Sequence, residues 1–193
     1  QSPSSAASDV YKRQQLFRSL GLKPGDSMAF MMENHKLFFP IAFAAWRSGL
    51  KYKAISWRLQ ANEVEYIVKD CGAKVFITSK FLEESAKDLA SSLEGVHKFM
   101  LDGESGDFKS FEDAIKSMPV EPIEDECQGA AMLYSSGTTG KPKGVSREIN
   151  LSPLPYDSAD DDLGLTRVVQ GLYSADEESI YLSPAPLYHS APM

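Results

Sequence analysis

Short runs with strand character alternate with longer segments of helical periodicity along most of this chain. The strand-like runs are 27–32, 52–57, 74–78, 96–101, 130–134 and 179–182, and the helical patterns are 37–47, 62–71, 81–93 and 108–115, with a short helix ending at 172. Strands separated by helices of this length are typical of βαβ units. The alternation predicts an α/β fold with a mostly parallel sheet and flanking helices.

Residues suited to helix ends stand at several of the expected boundaries. Asn34 can cap the helix at 37–47, and Gly49 and Gly72 stand where helix C-termini favour a residue that tolerates positive φ. Ser110 is a candidate for opening the helix at 108–115. An acidic, proline-containing linker is expected over 119–128, before the strand at 130–134.

The two ends of the chain predict a piece of a longer protein. Residues 1–14 lack an initiator Met and are rich in Ser and Ala, so we expect a leader that is foreign to the native chain. The last residues carry three prolines and stop at Met193 without a closing element. Between them, residues 149–165 are rich in Asp and Pro without apolar periodicity, which predicts a mobile insertion.

Charge and hydropathy exclude several classes of function. The chain is 42% hydrophobic and 24% charged, which is typical of a soluble globular protein, and its richest apolar stretch, 37–46, is too short to span a membrane. The net charge is −7 with scattered basic residues, so no nucleic-acid surface is expected. Cys71 and Cys127 form no CxxC pair and indicate neither a disulfide framework nor a zinc site. We expect a cytoplasmic protein whose oligomeric state the sequence does not define.

One loop, at residues 135–145, contains the residues that indicate the function of the chain. After the strand at 130–134, residues 135–140 supply four hydroxyls and two glycines, and two lysines follow within three positions. Glycines let backbone N–H groups turn inward, hydroxyls donate hydrogen bonds, and lysine adds positive charge, so the segment can wrap an oligophosphate. The plain alternative is a polar hairpin loop with solvated lysines. A Walker loop fails on spacing, because Pro142 and Gly144 stand where that motif needs Gly and Ser or Thr.

The segment 134–145, YSSGTTGKPKGV, resembles the AMP-binding signature of the adenylate-forming superfamily, of which acyl-CoA synthetases are members. The stretches 48–78 and 181–193 are also similar to segments that these enzymes have upstream and downstream of the loop. The resemblance implies the first part of the large N-terminal domain of such an enzyme over residues 15–193. It implies an acid:thiol ligase that activates a carboxylic acid, such as a fatty acid, as an acyl-adenylate and passes it to CoA, with ATP and Mg²⁺.

The resemblance also implies site residues. The expected nucleotide contacts are Ser135, Ser136, Gly137, Thr138, Thr139, Gly140, Lys141, Lys143 and Gly144, with Thr139 and Lys143 closest to catalysis. Tyr188 and His189 correspond to the acyl site, whereas His35 and His97 are expected at the surface or in packing. No protein metal ligands are expected.

The chain departs from the family at two places. The family has a proline and a small polar residue in the strand that holds Lys53, Ala54 and Ser56 here. The loop is followed by Ser146, Arg147 and Glu148 in place of a Thr-His or Ser-His helix start. The family's later motifs lie beyond Met193, so we expect residues 1–193 alone to be inactive. The competing hypothesis is a non-catalytic nucleotide- or phosphate-binding module, which a reading frame continuing past Met193 with those motifs would exclude.

Overall fold

The computed structural model describes residues 5–135 and 143–145 and, nearer the C-terminus, residues 171, 172, 174, 176, 178–180, 182, 183 and 185–189. Residues 136–142 of the predicted phosphate loop (135–145) and the predicted insertion at 149–165 lie outside the described residues. Within the described part of the chain, no helix is long and apolar enough to cross a membrane.

A six-stranded parallel sheet forms the centre of the fold, in the order β5-β4-β3-β1-β2-β6. The strands are β1 (Ser27–Met31), β2 (Lys51–Ile55), β3 (Ala73–Ser79), β4 (His97–Leu101), β5 (Lys109–Ser110) and β6 (Ala130–Ala131). The helices are α1 (Ser5–Ser19), α2 (Phe38–Arg47), α3 (Ala61–Asp70), α4 (Glu83–Ala90) and α5 (Phe111–Lys116), and a short 3₁₀ helix spans Lys80–Leu82. The predicted parallel α/β architecture is confirmed.

Helices cover both faces of this sheet. Alternate residues of β1 enter different apolar clusters: Met28 and Phe30 pack with α1, α2 and α5, whereas Ala29 and Met31 pack with α3 and α4. All five residues of β1 are buried. A central strand that is buried on both sides reads as a continuous apolar run, which is why β1 shows no polar alternation.

Gly49 makes the turn from α2 into β2. Its φ of +68° is the left-handed conformation that the sequence predicted after this helix. A Cβ at this position would lie 2.4 Å from Sγ of Cys127. The turn therefore needs glycine both for its backbone conformation and for the close approach of the segment before β6.

Buried polar groups attach the predicted linker to the helices. Both carboxylate oxygens of Glu126 accept hydrogen bonds from Arg47 at 2.8 Å, and Gln14 donates to the same carboxylate at 2.7 Å. Glu126 is 4% exposed, and the hydrogen bonds that Arg47 donates to its carboxylate raise the pKa of Arg47. A charged pair with bidentate geometry is the arrangement that tolerates such burial.

Three expectations need correction or restriction. Asn34 does not cap α2, whose N-cap is Leu37 without a side-chain hydrogen bond. The expected strand at 130–134 is two short strands, of which Ala130–Ala131 belongs to the six-stranded sheet and Leu133–Ser135 to a separate two-stranded sheet. Ser179, Ile180 and Leu182 lie outside any strand, and the last two are exposed with no described strand beside them.

The origin of residues 1–14 stays a prediction. Within that range, α1 begins at Ser5 and continues without a break to Ser19. Arg13 is 2% exposed and lies over the ring of Phe111, and Gln14 is fully buried. The end of the expected leader is thus part of the packed fold.

Candidate active site

The two ends of the phosphate motif form a small antiparallel hairpin. Strand β7 (Leu133–Ser135) pairs with β8 (Lys143–Val145), and Ser135 lies opposite Lys143. Residues 136–142 therefore connect two neighbouring, paired strand ends. Among the predicted contacts, Ser136, Gly137, Thr138, Thr139, Gly140 and Lys141 lie outside the described residues, and their roles stay predictions.

Lys143 and Gly144 stand where the loop ends. Lys143 is exposed. Because it is the first residue of β8, it lies at the end of the loop, within a strand. Gly144 is paired with Tyr134, and a Cβ on Gly144 would approach that ring to 3.0 Å and Cε of Met132 to 2.3 Å. Gly144 has a packing reason to be glycine, in addition to the nucleotide contact that the motif implies.

Tyr134 anchors the hairpin to the α3 side of the sheet. Its hydroxyl donates a hydrogen bond of 2.6 Å to Oδ2 of Asp70, the last residue of α3. Burial, together with this bond to Asp70, raises the pKa of Tyr134, so the hydroxyl stays protonated and remains a donor. Asp70 carried no local sequence signal, because its partner is 64 residues away.

A buried lysine, Lys53, lies near Cys71, close to the hairpin formed by β7 and β8. Lys53, in β2, is 1% exposed, and its amine donates to the carbonyl of Lys51 at 3.3 Å. Burial lowers the pKa of Lys53 to about 8, an effect that neighbouring Cys71 opposes. Burial raises the pKa of Cys71, and the same thiol also lies near Tyr134. Lys53, one of the residues at which the chain departs from the family, therefore places a buried amine next to Cys71, which also lies near Tyr134.

The predicted acyl-site residues belong to a turn. The N–H of His189 donates to the carbonyl of Pro186 at 3.1 Å, and the rings of Tyr188 and His189 lie 4.6 Å apart. Leu187 is buried in the α1, α2 side of the core, whereas His189 is exposed. Asn34, three residues beyond Met31, the last residue of β1, contacts this turn through both polar atoms of its side-chain amide.

The structure thus brings Tyr188 and His189 to the carboxyl end of the parallel sheet, which is where α/β sheets bind ligands. The position of His189 relative to Thr139 stays a prediction, because Thr139 lies outside the described residues. His35 has a packing role, since it bonds to Asp102 at 2.9 Å, and His97 is exposed at the start of β4.

A nucleotide site can hold two kinds of ligand, phosphate and metal, through charged and metal-ligating side chains. An exposed lysine at the end of a hairpin loop offers charge to a phosphate. In the described ranges, no group of three or more His, Cys, Asp or Glu side chains could hold a metal ion.

Comparison with known proteins agrees with the motif. The profile of the family described as "AMP-binding enzyme" matches residues 14–193. Feruloyl-CoA synthase of Amycolatopsis sp is 27% identical over 174 residues, covering 90% of this chain and 31% of that protein. Fatty acid–[acyl-carrier-protein] ligase ScoC of Streptomyces coeruleorubidus is 28% identical over 129 residues, covering 66% of this chain and 24% of that protein.

A solved structure shows the same fold. A putative long-chain-fatty-acid CoA ligase from Rhodopseudomonas palustris superposes with a TM-score of 0.75 at 19% identity, covering 94% of this chain and 44% of that one. The chain spans less than a third of the length of the two curated relatives.

Proposed function

The chain belongs to the family of AMP-binding enzymes, and from this premise we propose that the whole protein uses ATP to join a carboxylic acid to a thiol. In the first step, the carboxylate attacks the α-phosphorus of ATP, giving an acyl-adenylate and pyrophosphate. In the second, the thiol of CoA attacks the acyl carbon, giving a thioester and AMP. No protein nucleophile is needed, so the protein contributes by positioning its substrates and stabilising charge.

The observation that carries this proposal is the pairing of Ser135 with Lys143 across the hairpin. It fixes the two ends of the motif loop next to each other, as a compact phosphate-binding loop requires. On this proposal, hydroxyls and backbone N–H groups of residues 135–140 donate to the β- and γ-phosphates, and Lys143 supplies positive charge at the leaving pyrophosphate. Mg²⁺ enters with ATP and neutralises part of the phosphate charge.

The same pairing assigns a supporting task to Tyr134. Because its hydroxyl is bonded to Asp70 and its ring packs against the α3 side of the core, β7 cannot shift along the sheet without losing both contacts. A loop that is held at its base orders fewer groups when it binds a ligand, which favours affinity.

For the acid we propose a fatty acid, bound near Tyr188 and His189. The names of the relatives differ in this respect, since one is a feruloyl-CoA synthase and another a fatty acid ligase acting on acyl-carrier protein. We also propose a cytoplasmic location, to which the two unpaired cysteines are suited.

The test is acid-dependent exchange of radiolabelled pyrophosphate into ATP by the protein in its full native length, with a panel of fatty, aromatic and dicarboxylic acids. We expect exchange that depends on the acid, and none from residues 1–193 alone, because binding of triphosphate by a loop does not by itself stabilise the transition state. Nucleotide binding by the full-length protein without exchange for any acid would favour a non-catalytic nucleotide-binding module and contradict the proposal.

A further inference from the structure

Asn34 holds the turn that carries Tyr188 and His189. Its side-chain N–H₂ group donates to the carbonyl of Ala185 at 3.2 Å, and its side-chain oxygen accepts from the N–H of Leu187 at 2.9 Å. An amide that uses its donor and its acceptor on two backbone groups of one segment fixes the orientation of that segment as well as its position.

The contact spans almost the whole chain. Asn34 and Leu187 are separated by 153 residues, so the contact does not arise from local chain geometry. Leu187 itself is 8% exposed and packs in the α1, α2 side of the core. One buried side chain and two hydrogen bonds therefore attach the turn to the loop that follows β1.

The loop that carries Asn34 is itself fixed by its neighbours. The ring of His35 accepts a hydrogen bond from the N–H of Leu37 through Nδ1, at 3.1 Å. This places the ring proton on Nε2, which donates to Asp102 at 2.9 Å. On the other side, Ser79 donates to Glu33 at 2.5 Å. These bonds link the loop after β1 to the carboxyl ends of β3 and β4.

We propose that Asn34 is a positioning residue for the acid substrate: it orients the turn at 185–189 so that Tyr188 and His189 line the acyl site. This inference rests on the proposed function, since it names the residue that sets the geometry of that site. Asn34 acts through the turn and does not itself contact the acid. The bond to Ala185 is exposed and the bond from Leu187 is partly buried, so each contributes modestly and the pair together decides the orientation of the turn.

The test compares Asn34→Leu, which removes both bonds, with Asn34→Asp, which keeps the acceptor for Leu187 but turns a carboxylate oxygen towards the carbonyl of Ala185. Asn62→Leu and Asn62→Asp are the matched controls, because Asn62 is an exposed residue of α3. All variants are made in the protein at its full native length. Amide hydrogen exchange and the KM values for acid and ATP are then measured.

In Asn34→Leu we expect exchange at Leu187 and His189 to rise about fivefold to thirtyfold, which is the effect of one or two lost hydrogen bonds. Exchange in β1 should stay unchanged. The KM for the acid should rise by a similar factor, with the KM for ATP changing less than about twofold. Asn34→Asp should lie between Asn34→Leu and the native protein, and both Asn62 variants should match the native protein.

Two results would overturn the inference. Unchanged exchange at Leu187 in Asn34→Leu would show that the amide contact does not hold the turn. Raised exchange at Leu187 together with equal increases in the KM for acid and the KM for ATP would show that Asn34 stabilises the turn without a specific role in binding the acid. Absence of acid-dependent activity in the native protein would remove the proposed function, and with it the positioning role, while the exchange data would still show whether the contact exists.

Discussion

Replacing Lys53 by methionine should stabilise the protein at neutral pH. Methionine has a similar length and no charge, and Lys53 is 1% exposed in the centre of β2. The pKa of Lys53 falls from 10.5 to about 8 because burial disfavours the ammonium ion. At about 1.4 kcal/mol per pH unit, this fall corresponds to roughly 3 kcal/mol of destabilisation while the amine is charged.

The pH dependence follows from the direction of this shift. Below about pH 8 the amine is charged in both the folded and the unfolded chain, so the full cost is present. Between about pH 8 and 10.5 the unfolded chain binds more protons than the folded one, and the cost declines as the pH rises. The advantage of Lys53→Met is therefore largest at pH 7. Loss of the 3.3 Å bond to the carbonyl of Lys51 offsets about 1 kcal/mol of it.

Urea unfolding of native protein and Lys53→Met at about pH 7 and pH 9.5 measures this effect. We expect a gain of roughly 2 kcal/mol at pH 7 that shrinks by more than half at pH 9.5. Lys36→Met, at an exposed lysine, should change the free energy of unfolding by less than about 0.5 kcal/mol. A destabilised Lys53→Met, or a gain that does not change with pH, would refute the claim that a buried charge is the cause.

Two further substitutions test the segments on either side of Met132. Gly129→Ala would put a Cβ 2.3 Å from the carbonyl oxygen of Leu50, so we expect a loss of at least about 2 kcal/mol in thermal unfolding, whereas Gly171→Ala, with open space around it, should be neutral. Tyr134→Phe removes the donor to Asp70 and should cost about 1 kcal/mol; a double-mutant cycle with Asp70→Asn that gives no coupling would rule out the anchor.

The architecture was predictable from the sequence because each element carries its own periodicity. The boundaries of β1, α2, α3 and β4 agree with the predicted ones to within one residue. Ser110 caps α5 as expected, its side chain accepting from the N–H of Asp113. Such local signals act within a few residues and can be read without knowing the fold.

The contacts that organise the candidate site were not predictable in this way. The sequence assigned Asn34 to a helix cap, but the amide bonds a segment more than 150 residues away, which no local pattern encodes. The pairing of His35 with Asp102 and of Tyr134 with Asp70 likewise depends on which strands become neighbours in the sheet. The burial of Lys53 was also missed, because a lysine within a short strand pattern gives no sign that both faces of that strand are covered.

The central claim is that the motif loop binds the triphosphate of ATP for attack by an acid. The most direct measurement is acid-dependent pyrophosphate exchange by full-length Thr139→Ala and Lys143→Ala, with Thr139→Ser and Lys143→Arg as controls that keep the hydroxyl and the charge. Loss of one preorganised donor should slow exchange by about tenfold to a thousandfold in each alanine variant, with smaller losses in the controls. Native rates in both alanine variants would contradict the assignment of the loop.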